Sequence, residues 1–444
     1  MSLVSRSSRS FTALVLATAL TACGGSGSGG ASDPVSDPAP SDPAASDPSG
    51  AAAPRPPVMP TDAEAQRFSR ASNAFAFDLW ARLRDRPGNL AVSPASISIA
   101  LAMTAGGART RTAEQMQQVL HIDDLDAFHT SASHVLTSWN ADSGVTLRVA
   151  NRLFGERTYA FEPAFVALTR DRYEAPLEPL DFRGAFEPSR QRINGWVAEQ
   201  TEDRIRDLIP AGGLDATTRL VLTNAVYFLA RWQHEFEHEA TFDAPFHRPG
   251  GDVRAPTMHQ RNVFGYHHGD GVAVLELPYV GERYSMLVLL PDEAQGLAAL
   301  EAGLTSERLD GWTAQLTPTE LDVALPRARI APATSLELAT ILTEMGMPDA
   351  FSASEADFFG IATPPDPRMR LYIAKVFHKA FVEIDERGTE AAAATAVVMA
   401  EGGGMPRPVP TFVADHPYLF VLRDRSSGAV LFIGRVVDPT DGGA

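Results

Sequence analysis

Residues 383–412, EIDERGTEAAAATAVVMAEGGGMPRPVPTF, carry two conflicting instructions. An alanine-rich run suited to helix or strand is followed by three consecutive glycines and three prolines that permit neither. A fold containing this segment must offer the first half a regular place and keep the second half irregular.

The rest of the chain supplies strands that can form such a place. β-Branched or aromatic runs bounded by turn residues occur at 145–154, 220–232, 272–279, 284–291, 320–330 and 429–439. Apolar spacing predicts helices beside them. Phe68, Phe75, Leu79 and Leu83 mark a first helix continuing over 71–85, and residues 96–103 form a second that stops at Gly106 and Gly107. Further helices are expected at 189–209 and 334–347, and Thr112 with Gln115 reads as a capping box for another. The order shows no βαβ repetition and no internal repeat, so the class is α+β. With 444 residues, 44% hydrophobic, the chain can bury a large core; its single cysteine excludes an intramolecular disulfide framework, so burial must hold the fold.

Three regions follow from composition. Arg6 and Arg9 precede a short apolar run, 11–20, and then small residues and Cys23. The run is shorter than the roughly 20 residues a membrane span needs. Residues 1–22 therefore read as a leader, and the junction Leu20-Thr21-Ala22-Cys23-Gly24 resembles a bacterial lipoprotein processing site, with Cys23 taking the lipid. Residues 23–60 repeat the tripeptide SDP four times without apolar periodicity, a tether expected to reach roughly 110 Å if extended at ~3.1 Å per residue. Residues 61–444 form the folded domain. A lipid-anchored protein of the bacterial cell envelope, or an extracellular one, is expected, with the outer membrane favoured because Gly24 is not the aspartate associated with inner-membrane retention.

The net charge of −17 and the absence of a basic stripe argue against nucleic acid as a partner. HEFEH at His234–His238 matches H-E-x-x-H, in which two histidines one helical turn apart bind zinc and the glutamate acts as a base. Here it follows a strand-like run; extended at about 3.3 Å per residue, the two histidines would stand ~13 Å apart, too far to share an ion. Neither His267 nor His268 is placed as a third ligand, so no metal and no cofactor are expected. Ser93 and His378 are the residue types of a hydrolase triad, but no G-x-S-x-G elbow accompanies them, and hydrogen-bonded polar groups in a core are the simpler reading.

Taken in order, NAFAFDLW, NLAVSPASISIALAM, ANRLF, INGWVAEQTEDRIRDLI, LTNAVYFLARW, LELPY, SMLVLLP, LPRARI, VFHKAFVEIDERGTEAAAATA and VADHPYLFVLRDRSSGAVLFIGRVVDP resemble the serpin family from about Ala71 to Pro439. Tyr418, where the family most often has Phe, is a conservative departure. The resemblance implies a serpin fold: a large mixed main sheet, smaller sheets, surrounding helices and an exposed reactive loop. It also implies that Ser93, Ser96, Asn224 and His378 form the hydrogen-bonded cluster behind the opening of the main sheet. Trp232 would stand at the top of that sheet, and Arg327 is expected to pair with Glu386 at the start of the mobile loop.

The implied activity is suicide inhibition of serine-type endopeptidases, with cysteine proteases as a second target class, so the chain itself is not an enzyme. A protease cleaves within 386–410, and the freed strand inserts into the sheet and drags the acyl-enzyme with it. The nucleophile belongs to the protease. The hinge residues, Glu386, Gly388, Thr389, Glu390, Ala391, Ala392, Ala393 and Ala394, suit this role. From Thr389 the inward-facing set (Thr389, Ala391, Ala393, Thr395, Val397, Met399) is uncharged, and Glu390 faces out. Inserting about a dozen residues at ~1 kcal/mol net per hydrogen bond would release on the order of 10 kcal/mol. Inhibitory serpins place about seventeen residues from the hinge glutamate to the cleaved bond, so the resemblance, counted from Glu386, implies a reactive bond at Gly402-Gly403, with Met399, Glu401 and Met405 as alternatives. The protein is expected to act as a monomer. A non-inhibitory serpin, a carrier or binding module, is the second reading; the small residues of GTEAAAATA argue against it.

Overall fold

Two of the most apolar strand runs do not share a sheet: residues 220–231 pair in one, and 284–291 lie at the centre of another. The computed structural model describes residues 58–142, 144–364, 370–389 and 409–442. The leader, Cys23 and nearly all of the tether lie outside them. So do Glu390, Ala391, Ala392, Ala393, Ala394, Met399, Glu401, Gly402, Gly403 and Met405.

The helices are α1 (Asp62–Leu83), α2 (Pro94–Ala105), α3 (Thr110–Val119), α4 (Leu125–Asn140), α5 (Pro163–Tyr173), α6 (Phe182–Gln200), α7 (Leu297–Ala302), α8 (Ser306–Ala314) and α9 (Ala339–Met345). The first strands are β1 (Leu90–Val92), β2 (Thr146–Glu156), β3 (Leu177–Leu180), β4 (Leu220–Arg231) and β5 (Phe242–Phe246). Next come β6 (Val253–Gly269), β7 (Val272–Pro278), β8 (Tyr284–Pro291), β9 (Thr317–Pro326), β10 (Ala328–Ile330) and β11 (Leu336–Glu337). The last are β12 (Phe377–His378), β13 (Val382–Ile384), β14 (Gly388–Thr389), β15 (Thr411–Val413), β16 (Tyr418–Asp424) and β17 (Val430–Val436).

A nine-stranded sheet runs β1-β17-β16-β8-β7-β6-β9-β15, with β5 also on β6. The second sheet, β14-β4-β2-β3, is mixed, with β2 parallel to β3 and antiparallel to β4. Two short pairs, β10 with β13 and β11 with β12, complete the architecture. Strand β8 is buried along its whole length, as its largely apolar sequence requires, with Ser285 Oγ donating to Glu276 Oε1 at 2.7 Å. Helix α2 is buried on nearly every side and packs on both β4 and β17, so it sits between the sheets. A smaller core of Phe154, Phe182, Ile193, Trp196, Val197 and Ile205 forms where α6 packs on β2 and β4.

Several element boundaries differ from the sequence expectation for local reasons. Helix α1 begins earlier, at a capping box: Glu64 N–H donates to Thr61 Oγ1 at 3.3 Å and Thr61 N–H to Glu64 Oε2 at 2.8 Å. Thr112 and Gln115 do not cap α3. They accept from Asp357 N–H at 3.0 Å and Asp349 N–H at 3.0 Å, tying the helix to a distant segment. Helix α6 stops at Gln200 because the Asn194 side chain holds both the N–H and the carbonyl of Ile209 at 2.9 Å and folds the chain back. Residues 336–337 pair as β11, so only 339–345 of the expected 334–347 helix is helical. The 320–330 run divides at Arg327: β9 belongs to the large sheet, while β10 pairs with β13.

Candidate functional site

The division after Pro326 sets Arg327 between two sheets, beside the turn that leads into β14. Glu386 is 6% exposed there. Arg327 Nε donates to both its carboxylate oxygens, at 2.8 and 3.0 Å, and Thr241 Oγ1 donates to Oε1 at 2.6 Å. Burial raises the Glu386 carboxyl, but the Arg327 and Thr241 hydrogen bonds and the guanidinium charge outweigh it and hold the group below its usual range.

The turn itself is tied to the top of β4. Asp385 Oδ1 accepts from Arg387 N–H at 2.9 Å and Gly388 N–H at 3.1 Å. Trp232 N–H donates to Arg387 O at 2.7 Å, Phe236 N–H to Glu386 O at 2.7 Å, and Trp232 Nε1 to Asp385 O at 2.9 Å. Gly388 then pairs with Arg231, so close that a Cβ there would lie 2.0 Å from Ala230 O. Thr389, 4% exposed, shares a 2.7 Å hydrogen bond with the buried Tyr279 hydroxyl. Tyr279 stacks on Trp232 with ring centres 4.5 Å apart and meets Phe228 edge-on at 5.0 Å.

Below this junction, β14 is the only strand paired to that edge of β4 among the described residues. Beyond it lies a cavity of about 300 Å³, lined by Leu101, Ile209, Val221, Ile373 and Phe377, between β4 and the segment running from 370 to β12. Ser96, Asn224 and His378 also line this seam. The His378 ring accepts from Ser93 N–H at 3.1 Å, and burial pushes it down to about 4, so it is neutral at neutral pH. Ser93 Oγ donates to Leu431 O at 2.7 Å. Ser96 Oγ donates to Asn224 Oδ1, and Asn224 Nδ2 to Asn151 Oδ1 at 2.6 Å. The four expected polar residues thus fall into two groups, each tied to α2: Ser93 with His378, and Ser96 with Asn224.

Asn151, Thr241, Asp385 and Tyr279 were missed at the sequence level. Asn151 lies opposite Asn224 in the β2–β4 register, so an asparagine inside each of two apolar strands was an available signal. Tyr279 gave none, because its partner is 110 residues away. The HEFEH histidines go to separate partners: the His234 ring meets Phe264 edge-on at 6.3 Å, and His238 Nδ1 accepts from Arg327 Nη2 at 3.0 Å. Residues 238–240 form one 3₁₀ turn rather than an α-helix. Among the described residues no group of three or more histidine, cysteine or acidic side chains is placed to hold a metal.

A hinge bound at the top of a seam that no described strand fills is the architecture of a protein that can add a strand to its own sheet. The family model described as serpin (serine protease inhibitor) matches residues 70–439, and the chain belongs to the serpin family. It is 43% identical over 390 residues to a leukocyte elastase inhibitor of Sus scrofa and 40% identical over 390 residues to that of Homo sapiens. Each alignment covers 84% of this chain and all of the relative. Among solved structures it resembles human thyroxine-binding globulin complexed with thyroxine, at 27% identity and TM-score 0.75, covering 85% of this chain and 100% of that one. The family's description is that of an inhibitor of serine proteases rather than of a catalyst, and it implies a protease as partner.

Proposed function

We propose that this protein is a suicide inhibitor of serine-type endopeptidases, cleaved within 386–410 and trapping the protease by strand insertion. The observation that carries the reading is the position of β14: Gly388 and Thr389 lie against β4 at the upper end of the seam, as the first residues of an added strand would. Similarity to leukocyte elastase inhibitors supports an elastase-type target. On this reading the bond is Gly402-Gly403, with Met399, Glu401 and Met405 as the neighbouring alternatives, and the inhibitor acts as a monomer tethered to the cell envelope through Cys23.

The test is incubation of the folded domain with a panel of serine and cysteine proteases. Complexes that survive SDS, and a released C-terminal peptide whose first residue reports the bond, are expected. Cleavage by every protease without any complex would defeat the reading. Thyroxine-binding globulin, whose structure holds thyroxine, keeps a carrier role as the second reading. A serpin of that kind would be cleaved without forming complexes.

A further inference from the structure

Helix α6 carries a reactive dipeptide that neither the hinge nor the proposed inhibition uses. Asn194 is 7% exposed and clasps Ile209: its Nδ2 donates to Ile209 O and its Oδ1 accepts from Ile209 N–H, both at 2.9 Å. The next residue is Gly195, exposed in the helix interior, with open space where a Cβ would stand. Packing does not require a glycine there, and an alanine would favour the helix by about 1 kcal/mol. What the glycine changes is reactivity: with no side chain on the following residue, nothing hinders approach of its nitrogen to the asparagine amide carbon. This part of the fold can also open without the main core. Regular helical geometry is interrupted at Ala185, and Pro188 removes an N–H from the turn that follows. Ile193 and Trp196 of α6 pack with Ile205, Leu208 and Ile209 of the next segment in a small core distinct from the main one. Such a unit can open below the free energy of global unfolding.

We propose that Asn194-Gly195 is a self-modification site gated by α6: closed in the fold, and open to deamidation whenever the helix opens. In the closed state the reaction is blocked twice, because the Gly195 N–H belongs to the helix ladder and both polar atoms of the Asn194 amide are held by Ile209. Once the helix opens, the Gly195 nitrogen gives its proton to water and attacks Asn194 Cγ. The new C–N bond closes a succinimide, the Cγ–Nδ2 bond breaks, and ammonia leaves, taking a proton back from solvent. Water then opens the ring at either carbonyl and leaves aspartate or isoaspartate. Aspartate can still accept from Ile209 N–H, and Arg190 Nη1, which donates to Ile209 O at 2.7 Å, keeps that carbonyl satisfied. Isoaspartate instead moves a methylene into the main chain, so the helix ladder and the Ile209 clasp cannot both re-form. Leu208 and Ile209 also line the seam cavity, so this product leaves that wall of the seam unfastened.

The experiment holds the wild-type protein, Gly195→Ala and Asn194→Asp at neutral pH across a series of guanidinium chloride concentrations. Peptide mass spectrometry follows loss of the amide at Asn194, methyl transfer by an isoaspartyl methyltransferase counts isoaspartate, and hydrogen exchange reports the amides of 201–209. Deamidation of the wild type is expected to be about a hundredfold slower in buffer than in the unfolded chain, and to rise with denaturant before the main unfolding transition, in step with exchange across α6. Gly195→Ala should suppress it and leave the thermal midpoint equal or higher. The isoaspartyl form should exchange the amides of 201–209 about tenfold faster than wild type, and Asn194→Asp should show a smaller rise. Deamidation in buffer at the unfolded rate, or none before the main transition, would overturn the proposal. So would a midpoint lowered by Gly195→Ala, which would make the glycine structural, or wild-type exchange in the isoaspartyl form. None of these measurements uses a protease, so their outcome is independent of the inhibitor reading.

Discussion

Replacing Arg327 with Ala should loosen the hinge through one buried carboxylate. The substitution removes the two Nε hydrogen bonds to Glu386 and leaves the carboxylate with Thr241 as its main donor in a nearly closed site. Breaking a buried ion pair from one side typically costs about 3–5 kcal/mol. The Arg327 side chain is 37% exposed and solvent screens part of the pair, so the expected loss is lower, about 2–3 kcal/mol. At ~2 cal/mol/K of unfolding entropy per residue, that lowers the first thermal transition of a domain this size by roughly 3 °C. Glu386→Gln removes the charge itself and should cost less. In its background Arg327→Ala should cost only about 1 kcal/mol, the net worth of a neutral hydrogen bond, leaving a coupling of ~1–2 kcal/mol. The sign with pH is fixed by the depressed carboxyl: the contribution is full above the ordinary carboxylate range and is lost as pH falls through the lowered folded value. The assay is a double-mutant cycle on the thermal transition at neutral and acidic pH, with incorporation of an added strand peptide as the readout of hinge opening. Additive single effects at neutral pH, or a coupling unchanged by acid, would refute the pairing as the device that holds the hinge.

Other outcomes follow from the same geometry. Gly388→Val should push β14 away from Ala230 and raise the fraction of inhibitor cleaved without complex, measured as stoichiometry of inhibition. Tyr279→Phe keeps the stack on Trp232 but loses the bond to Thr389, and should destabilise the protein by ~1 kcal/mol in urea unfolding. His378 is neutral in the fold and pushed down to about 4, so the unfolded chain binds the extra proton. Stability should therefore fall as pH drops from about 6.5 towards 4, by up to ~3 kcal/mol, and His378→Gln should flatten that part of the profile. The Tyr418 hydroxyl is buried with no hydrogen-bond partner among the described residues, so Tyr418→Phe should raise the melting temperature, with a gain of about 1–2 kcal/mol.

What sequence reasoning reached and what it missed separate along physical lines. Strands β4, β7, β8 and β17 were legible because burial on both faces or steady β-branching is a local property. Glu386 and Arg327 were legible as neighbours only through the family resemblance, since nothing in LPRARI announces that Pro326 ends one strand and carries the chain to another sheet. Helix α6 was misplaced by several residues because Asn194, a mid-helix residue with no distinguishing local pattern, closes the loop through Ile209. Thr112 had the right spacing for a cap and the wrong partner, because tertiary contact with Asp357 took its hydroxyl. The misses share one cause: each depends on a polar side chain whose partner is fixed by the fold rather than by neighbouring residues.

That cause also explains how β4 and the segment leading to β12 are held apart among the described residues. Strand β4 and the segment leading to β12 are not joined to each other below β14 by strand pairing among the described residues; each is joined to α2. Ser96 holds β4 through Asn224, while Ser93 holds β12 through His378 and β17 through Leu431. A helix buried on nearly all sides is a stiff spacer, so these bonds fix the separation of the two edges as well as their attachment. A strand continuing from Thr389 would lie along β4 from Ala230 towards Leu220 and gain on the order of 10 kcal/mol of net backbone hydrogen bonding. It could do so without first breaking a ladder between the edges. The resistance to insertion must then come from the hinge at Glu386 and from the uncut loop, and cleavage removes the second. Protonation of His378 removes the α2 tie to β12 and leaves the tie to β4. Acid should therefore widen the seam from one side, loosening β12 before β4.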